Sequence, residues 1–151
     1  MGRMRRELAL LPGMAAVVLA SATCADNRSA RPDVQAEWAW ARAVADSAGT
    51  TAAYMVLRNV GDAPGRLVGL RSEAARDVQL HRTTIDDSGL ARMTEIDALD
   101  IPAGGSVVLE PGGYHLMLVG AGPLAAGDTV RITLDLEGSA PVEIEAEVRA
   151  F

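Results

Sequence analysis

"TVRITLDLEGSAPVEIEAEV", residues 129–148, carries two clean alternations on either side of a turn. Val130, Ile132, Leu134 and Leu136 interleave with polar residues, and Val142, Ile144, Ala146 and Val148 interleave with Glu143, Glu145 and Glu147. Side chains of a strand point alternately to its two faces, so this period of two marks half-buried strands. Upstream, turn formers recur about every ten residues: "DSAG" 46–49, "NVGDAPG" 59–65, "DDSG" 86–89, "PAGG" 102–105, "PGG" 111–113 and "GAGP" 120–123. Short apolar or alternating runs lie between them, among them "AAYMVLRNV", "DVQLH", "SVVLE" and "YHLMLV". Many short strands at this spacing argue an all-β domain, an antiparallel β-sandwich or Greek-key barrel.

Outside that domain the chain changes character. "MGRMRR" is basic, the apolar run "LALLPGMAAVVLA" follows, and small polar residues come next. That order is a secretory signal, and the run is shorter than the ~20 residues of a membrane-spanning helix. The expected organisation is a signal peptide over 1–24, a linker over 25–33 and one domain over 34–151. Cys24 is the only cysteine, so no intramolecular disulfide forms. It stands where a lipoprotein signal places its acylated residue, yet an A-x-A site ending at Ala22 explains the same stretch by cleavage alone. A mature chain from Cys24 carries 11 Arg, no Lys and 19 acids, a net of -8. Nucleic acid, which calls for basic patches, is not an expected partner, and a monomer is expected.

Two histidines hold most of the chemistry. In "GGYHLMLVG", residues 112–120, His115 and Met117 share one strand face about 6.6 Å apart, and Tyr114, Leu116 and Leu118 take the other. The same parity in "DVQLHRT" sets His81 with Gln79 and Thr83, opposite Val78 and Leu80. Both histidines are thus expected on the non-core side, where each alone would be an ordinary solvated residue. Of the methionines outside the signal, Met55 in "AYMVL" reads as core, which leaves Met93 and Met117. An imidazole with a soft thioether suits Cu(I). A blue-copper centre needs a thiolate, and no cysteine lies in the domain. Two histidines are short of a catalytic zinc set, no G-x-S-x-G elbow occurs, and Asp86–Asp87 reads as a solvated turn.

The spacing of these residues resembles the periplasmic copper(I) chaperones of PCu(A)C type, associated with assembly of the copper A centre of cytochrome c oxidase. Eleven residues separate His81 from Met93 and 21 separate Met93 from His115, with Met117 closing a His-x-Met pair. "VQLHRT" 78–83, "ARMTEID" 91–97 and "IPAGGSVVLEPGGYHLMLVG" 101–120 match the family's framework, and the likeness runs from Trp38 to Val148. The resemblance implies a cupredoxin-like sandwich, no enzymatic activity, and Cu(I) held by His81, Met93, His115 and Met117. Because these residues lie on the parity opposite the core set, the site is expected to be shallow and near the surface. It further implies a periplasmic or membrane-anchored carrier handing copper to an acceptor such as oxidase subunit II or a second chaperone. Arg82 stands where many members carry Met, which places a cation beside the site. Some members end in a His/Met-rich tail that takes Cu(II); residues 149–151 hold none, so one site is expected. Copper buffering without a dedicated acceptor, or a metal-free interaction module, are the alternative readings. A histidine must be neutral to ligate, so Cu(I) affinity is expected to fall below about pH 6.

Overall fold

The computed structural model describes residues 30–47 and 49–150; the signal segment, Cys24 and residues 25–29 of the linker lie outside them. Every regular element among the described residues is a strand. In chain order these are β1 (Val34–Arg42), β2 (Gly49–Asn59), β3 (Gly65–Arg71), β4 (Asp77–Ile85) and β5 (Ala91–Glu95). There follow β6 (Leu99–Ile101), β7 (Ser106–Leu109), β8 (Tyr114–Ala121), β9 (Thr129–Leu136) and β10 (Val142–Arg149).

The strands join in the order β5-β4-β8-β7-β2-β1-β10-β9-β3-β6, and β8 also pairs with β2. The order folds over at β1, which is antiparallel to β2 along most of its length and parallel to β10 at Trp40–Arg42. One layer is β5-β4-β8-β2 with β7, and the other is β10-β9-β3-β6. Consecutive strands switch layers between β2 and β3 and again between β3 and β4, which makes the sandwich Greek-key and cupredoxin-like.

The alternation read in residues 129–148 is the β9–β10 hairpin, with Val142 opposite Leu134, Ile144 opposite Ile132 and Ala146 opposite Val130. Those inward residues meet Leu57, Leu116 and Leu118 of the other layer in a single apolar core. Each such Leu or Ile contributes about 1.5–3 kcal/mol by leaving water. Met55 is 2% exposed and belongs to this core, as its setting in "AYMVL" suggested. Residues 31–33 lie along the β2–β3 turn, where the Arg31 N–H donates to Asp62 Oδ1 and the Asp33 N–H to Asn59 Oδ1.

Candidate metal centre

The outward face of the β5-β4-β8-β2 layer gathers the chemistry. Antiparallel register sets His81 of β4 directly opposite His115 of β8, Gln79 opposite Met117, and Thr83 of β4 opposite Met93 of β5. Residues paired across strands share a face, so both histidines and both methionines stand on one side of the sheet. The two imidazole rings lie 5.7 Å apart between centroids. Met93, His115 and Met117 line an open cleft of about 520 Å³, together with Thr51, Tyr54 and Thr83. Three of the four sequence-derived candidates thus line one cleft, and His81, which is not among the lining residues, adjoins it through its ring against His115.

Parity assigned these side chains to the correct face, but the character of that face differs from expectation. His115 is 4% exposed rather than solvated. Tyr54 of β2 closes over its flank with ring centroids 6.4 Å apart, and Trp40 packs on Tyr54 at 4.6 Å. Tyr114, expected in the core, is only half-buried. Met93 is 61% exposed, so the site is deep at His115 and open at Met93. The expectation of a uniformly shallow site is corrected to a graded one. Arg82 also departs from expectation. It is the neighbour of His81 along β4 and so projects to the opposite face, where its guanidinium lies 5.4 Å from the centre of the Tyr114 ring. No cation is placed beside the histidines by Arg82.

Local structure explains how each group is held. The "PGG" turn needs a positive φ at Gly112 (84°), which a residue with a Cβ adopts at a cost. The turn is closed by the Gly113 N–H donating to the Glu110 carbonyl at 3.0 Å. It aims the Gly113 carbonyl at β4, where that oxygen accepts from the Thr83 N–H at 3.0 Å and from His115 Nδ1 at 3.2 Å. A proton on Nδ1 leaves the His115 Nε2 lone pair for a ligand. On β4, His81 Nε2 meets Gln79 Oε1 at 3.1 Å, and His81 Nδ1 is buried without a hydrogen-bond partner.

Met93 is presented by the β4–β5 hairpin. Its turn is an Asx motif in which Asp86 Oδ1 accepts from the Ser88 and Leu90 N–H groups, both at 3.0 Å. Hydrogen bonds from the Ser88 hydroxyl, then from Leu90, hold the Asp86 carboxyl below its ordinary range. The flanking bonds from the Ile96 N–H to Leu80 and from the Asp86 N–H to Leu90 fix the phase of the ladder. Thr83/Met93 and His81/Glu95 then fall at non-hydrogen-bonded pairs, where side chains approach more closely.

Soft thioethers beside neutral imidazoles suit a soft monovalent ion such as Cu(I). Among the described residues, no three His, Cys, Asp or Glu converge as a metal-binding group, so the set lacks the donors a zinc site takes.

Comparison with known proteins points to copper as well. The family described as "Putative lipoprotein LpqE-like" matches residues 34–148. The chain belongs to that family. A curated relative, "Putative lipoprotein Lxx21020" of Leifsonia xyli subsp. xyli, is 34% identical over 119 residues, covering 78% of this chain and 70% of its own. Among solved structures, the copper-bound PCuAC domain of PmoF2 is 30% identical with a TM-score of 0.64, covering 78% of this chain and 93% of that domain. The solution structure of Cu(I)-loaded DR1885 from Deinococcus radiodurans is 37% identical with a TM-score of 0.62, covering 82% and 83%. The LpqE-like chain thus shares its sandwich with domains solved in copper-bound form.

The sequence offered no direct signal for the aromatic wall. Trp40 and Tyr54 lie 14 residues apart on different strands, and only the register joins them to His115. Gln79 was placed on the correct face by parity without a role attached to it.

Proposed function

We propose that this protein is an extracytoplasmic Cu(I) carrier, in which His81, Met93, His115 and Met117 hold the ion as cargo and pass it to an acceptor protein. The observation that carries the reading is the convergence on one sheet face of both histidines and the two methionines outside the core. Copper-bound structures of similar domains support it. No bond is made or broken in the cargo's transfer beyond ligand exchange, so the protein acts as a carrier and not as an enzyme.

The graded site suits that task. Met93 on its exposed strand is the ligand an incoming donor meets first, while His115 keeps its place beneath Tyr54. Thioethers are weaker donors than thiolates, so an acceptor with paired cysteines draws the ion away. The copper A domain of an oxidase, directly or through a second chaperone, is the acceptor that the resemblance to the periplasmic copper(I) chaperones implies. The acidic chain steers toward a basic acceptor face, with transfer slowing as salt rises. Residues 1–24 serve as the export signal, and the family's lipoprotein description supports acylation of Cys24, which would hold the domain at the outer side of the membrane.

The test is Cu(I) loading of the purified protein under reducing conditions. His81→Ala and Met117→Ala are expected to weaken binding at least tenfold. Met55→Leu, a volume-conserving core swap costing less than about 1.5 kcal/mol, leaves binding intact. Equal binding by all three variants would sink the ligand assignment. Challenge of the loaded protein with an apo copper A domain then separates delivery from storage: copper that stays in place favours buffering.

A further inference from the structure

Asp77, Gln79 and His81 occupy alternate positions of β4 and therefore share the face of the candidate metal centre. They form a chain of side-chain hydrogen bonds. Gln79 Nε2 donates to Asp77 Oδ2 at 2.9 Å, and Gln79 Oε1 meets His81 Nε2 at 3.1 Å. A carboxylate only accepts, so the amide must turn its NH₂ toward Asp77 and its carbonyl toward the histidine. The carbonyl in turn requires the proton of a neutral imidazole to sit on Nε2. The remaining lone pair then belongs to Nδ1, which is the one buried side-chain nitrogen or oxygen among the described residues that lacks a partner.

We infer that Gln79, oriented by Asp77, is a positioning residue that fixes His81 in the tautomer whose Nδ1 is free to bind the metal. His115 is held in the opposite sense, with Nδ1 occupied by the Gly113 carbonyl and Nε2 left free. The two facing rings thus offer unlike nitrogens, one set by a side chain and one by the backbone. Outer partners of this kind orient a ligating ring and raise its basicity, and their loss costs typically 10–100-fold in metal affinity. The metal-binding half of the inference rests on the copper reading above; the tautomer does not.

The experiment has two readouts on the same variants. In the metal-free protein at mildly alkaline pH, long-range proton–nitrogen correlation spectra of the histidine rings report which nitrogen is protonated. The expected result is Nε2–H for His81 and Nδ1–H for His115. Gln79→Leu shifts His81 to a mixture of tautomers and lowers Cu(I) affinity 10–100-fold. Gln79→Glu, which keeps an oxygen acceptor facing Nε2–H, restores the tautomer and most of the affinity. Asp77→Ala frees the amide to turn over and gives an intermediate mixture. His81 found as Nδ1–H in the unaltered protein overturns the inference, as does a Gln79→Leu variant that binds Cu(I) within twofold of it. If His81→Ala binds copper as tightly as the unaltered chain while the Nε2–H tautomer is observed, the copper reading fails and takes the positioning role with it.

Discussion

Asn59 shows what one side chain can hold together. It is fully buried, and its amide serves four backbone groups. Oδ1 accepts from the N–H groups of Asp33 and Gly61, while Nδ2 donates to the carbonyls of Ala63 and Ile101. Each dry backbone group left without a partner costs about 1–3 kcal/mol, less whatever water recovers. Asn59→Ala is therefore expected to destabilise the fold by at least about 2 kcal/mol in urea titration. Cu(I) binding by the folded fraction stays unchanged, because Asn59 ends β2 beyond the Thr50–Tyr54 segment that lines the cleft. A cost below about 0.5 kcal/mol would show that the network carries little energy. In the sequence, "NVGDAPG" reads only as a turn, since neither the inward aim of Asn59 nor its long-range partner Ile101 is a local property. The metal-site candidates were legible because strand parity is local and the two histidines leave few alternatives. Parity gives a face but not what covers it, so it places His115 on the non-core side without showing its burial beside Tyr54.

At the scale of elements, β1 contains the feature that sequence period could least anticipate. Between Glu37 and Trp40 the strand advances three residues while its partner β2 advances two, from Val56 to Tyr54. The extra residue is a β-bulge, and Trp38 within it adopts φ 57° and is 79% exposed. Inward packing changes phase there, from Val34 and Ala36 before it to Ala39 and Ala41 after it. The bulge therefore sets Trp40 rather than Ala39 opposite Tyr54, and so builds the wall behind His115. A non-glycine residue in this left-handed region costs about 1–2 kcal/mol, and a β-branched one is worse still. Trp38→Gly should match or exceed the parent in stability, and Trp38→Ile should lose about 1–2 kcal/mol. Denaturant midpoints of the two variants decide it, and Ile tolerated as well as Gly would mean that the bulge relaxes without penalty. By contrast, β9 and β10 were plain in the sequence, because apolar residues line the core face of both and polar residues the other, even where Thr133 is buried.

Across the whole molecule, stability and the candidate site are distributed unevenly. The core lies between the layers, and β8, with Leu116 and Leu118 fully buried, is paired on both sides by β2 and β4. β5 ends the ladder: its five residues are all exposed, and among the described residues β4 is its only strand neighbour. Elements with few buried contacts open at low free-energy cost, so β5 is the part of the sheet expected to open first. Amide exchange at Arg92 and Thr94, which face β4 across hydrogen-bonded pairs, should be far faster in the metal-free protein than exchange at Leu116 and Leu118. Cu(I) bound by Met93 together with His81 and His115 would tie this edge to the centre of the layer. Any ligand that binds only the closed arrangement lowers the open population in proportion to its occupancy, and free ligand at 100 times its dissociation constant adds about 2.7 kcal/mol. Copper loading is accordingly expected to slow exchange at Arg92 and Thr94 by about tenfold or more, with little change in β9 and β10 at low copper excess. The Met93→Leu variant, which keeps an apolar side chain but has no sulfur, should lose that protection while its other strands exchange as before. Protection that survives Met93→Leu would remove β5 from the metal site. Slowing spread evenly over all strands would instead mark a global stabilisation, with no particular role for the exposed edge.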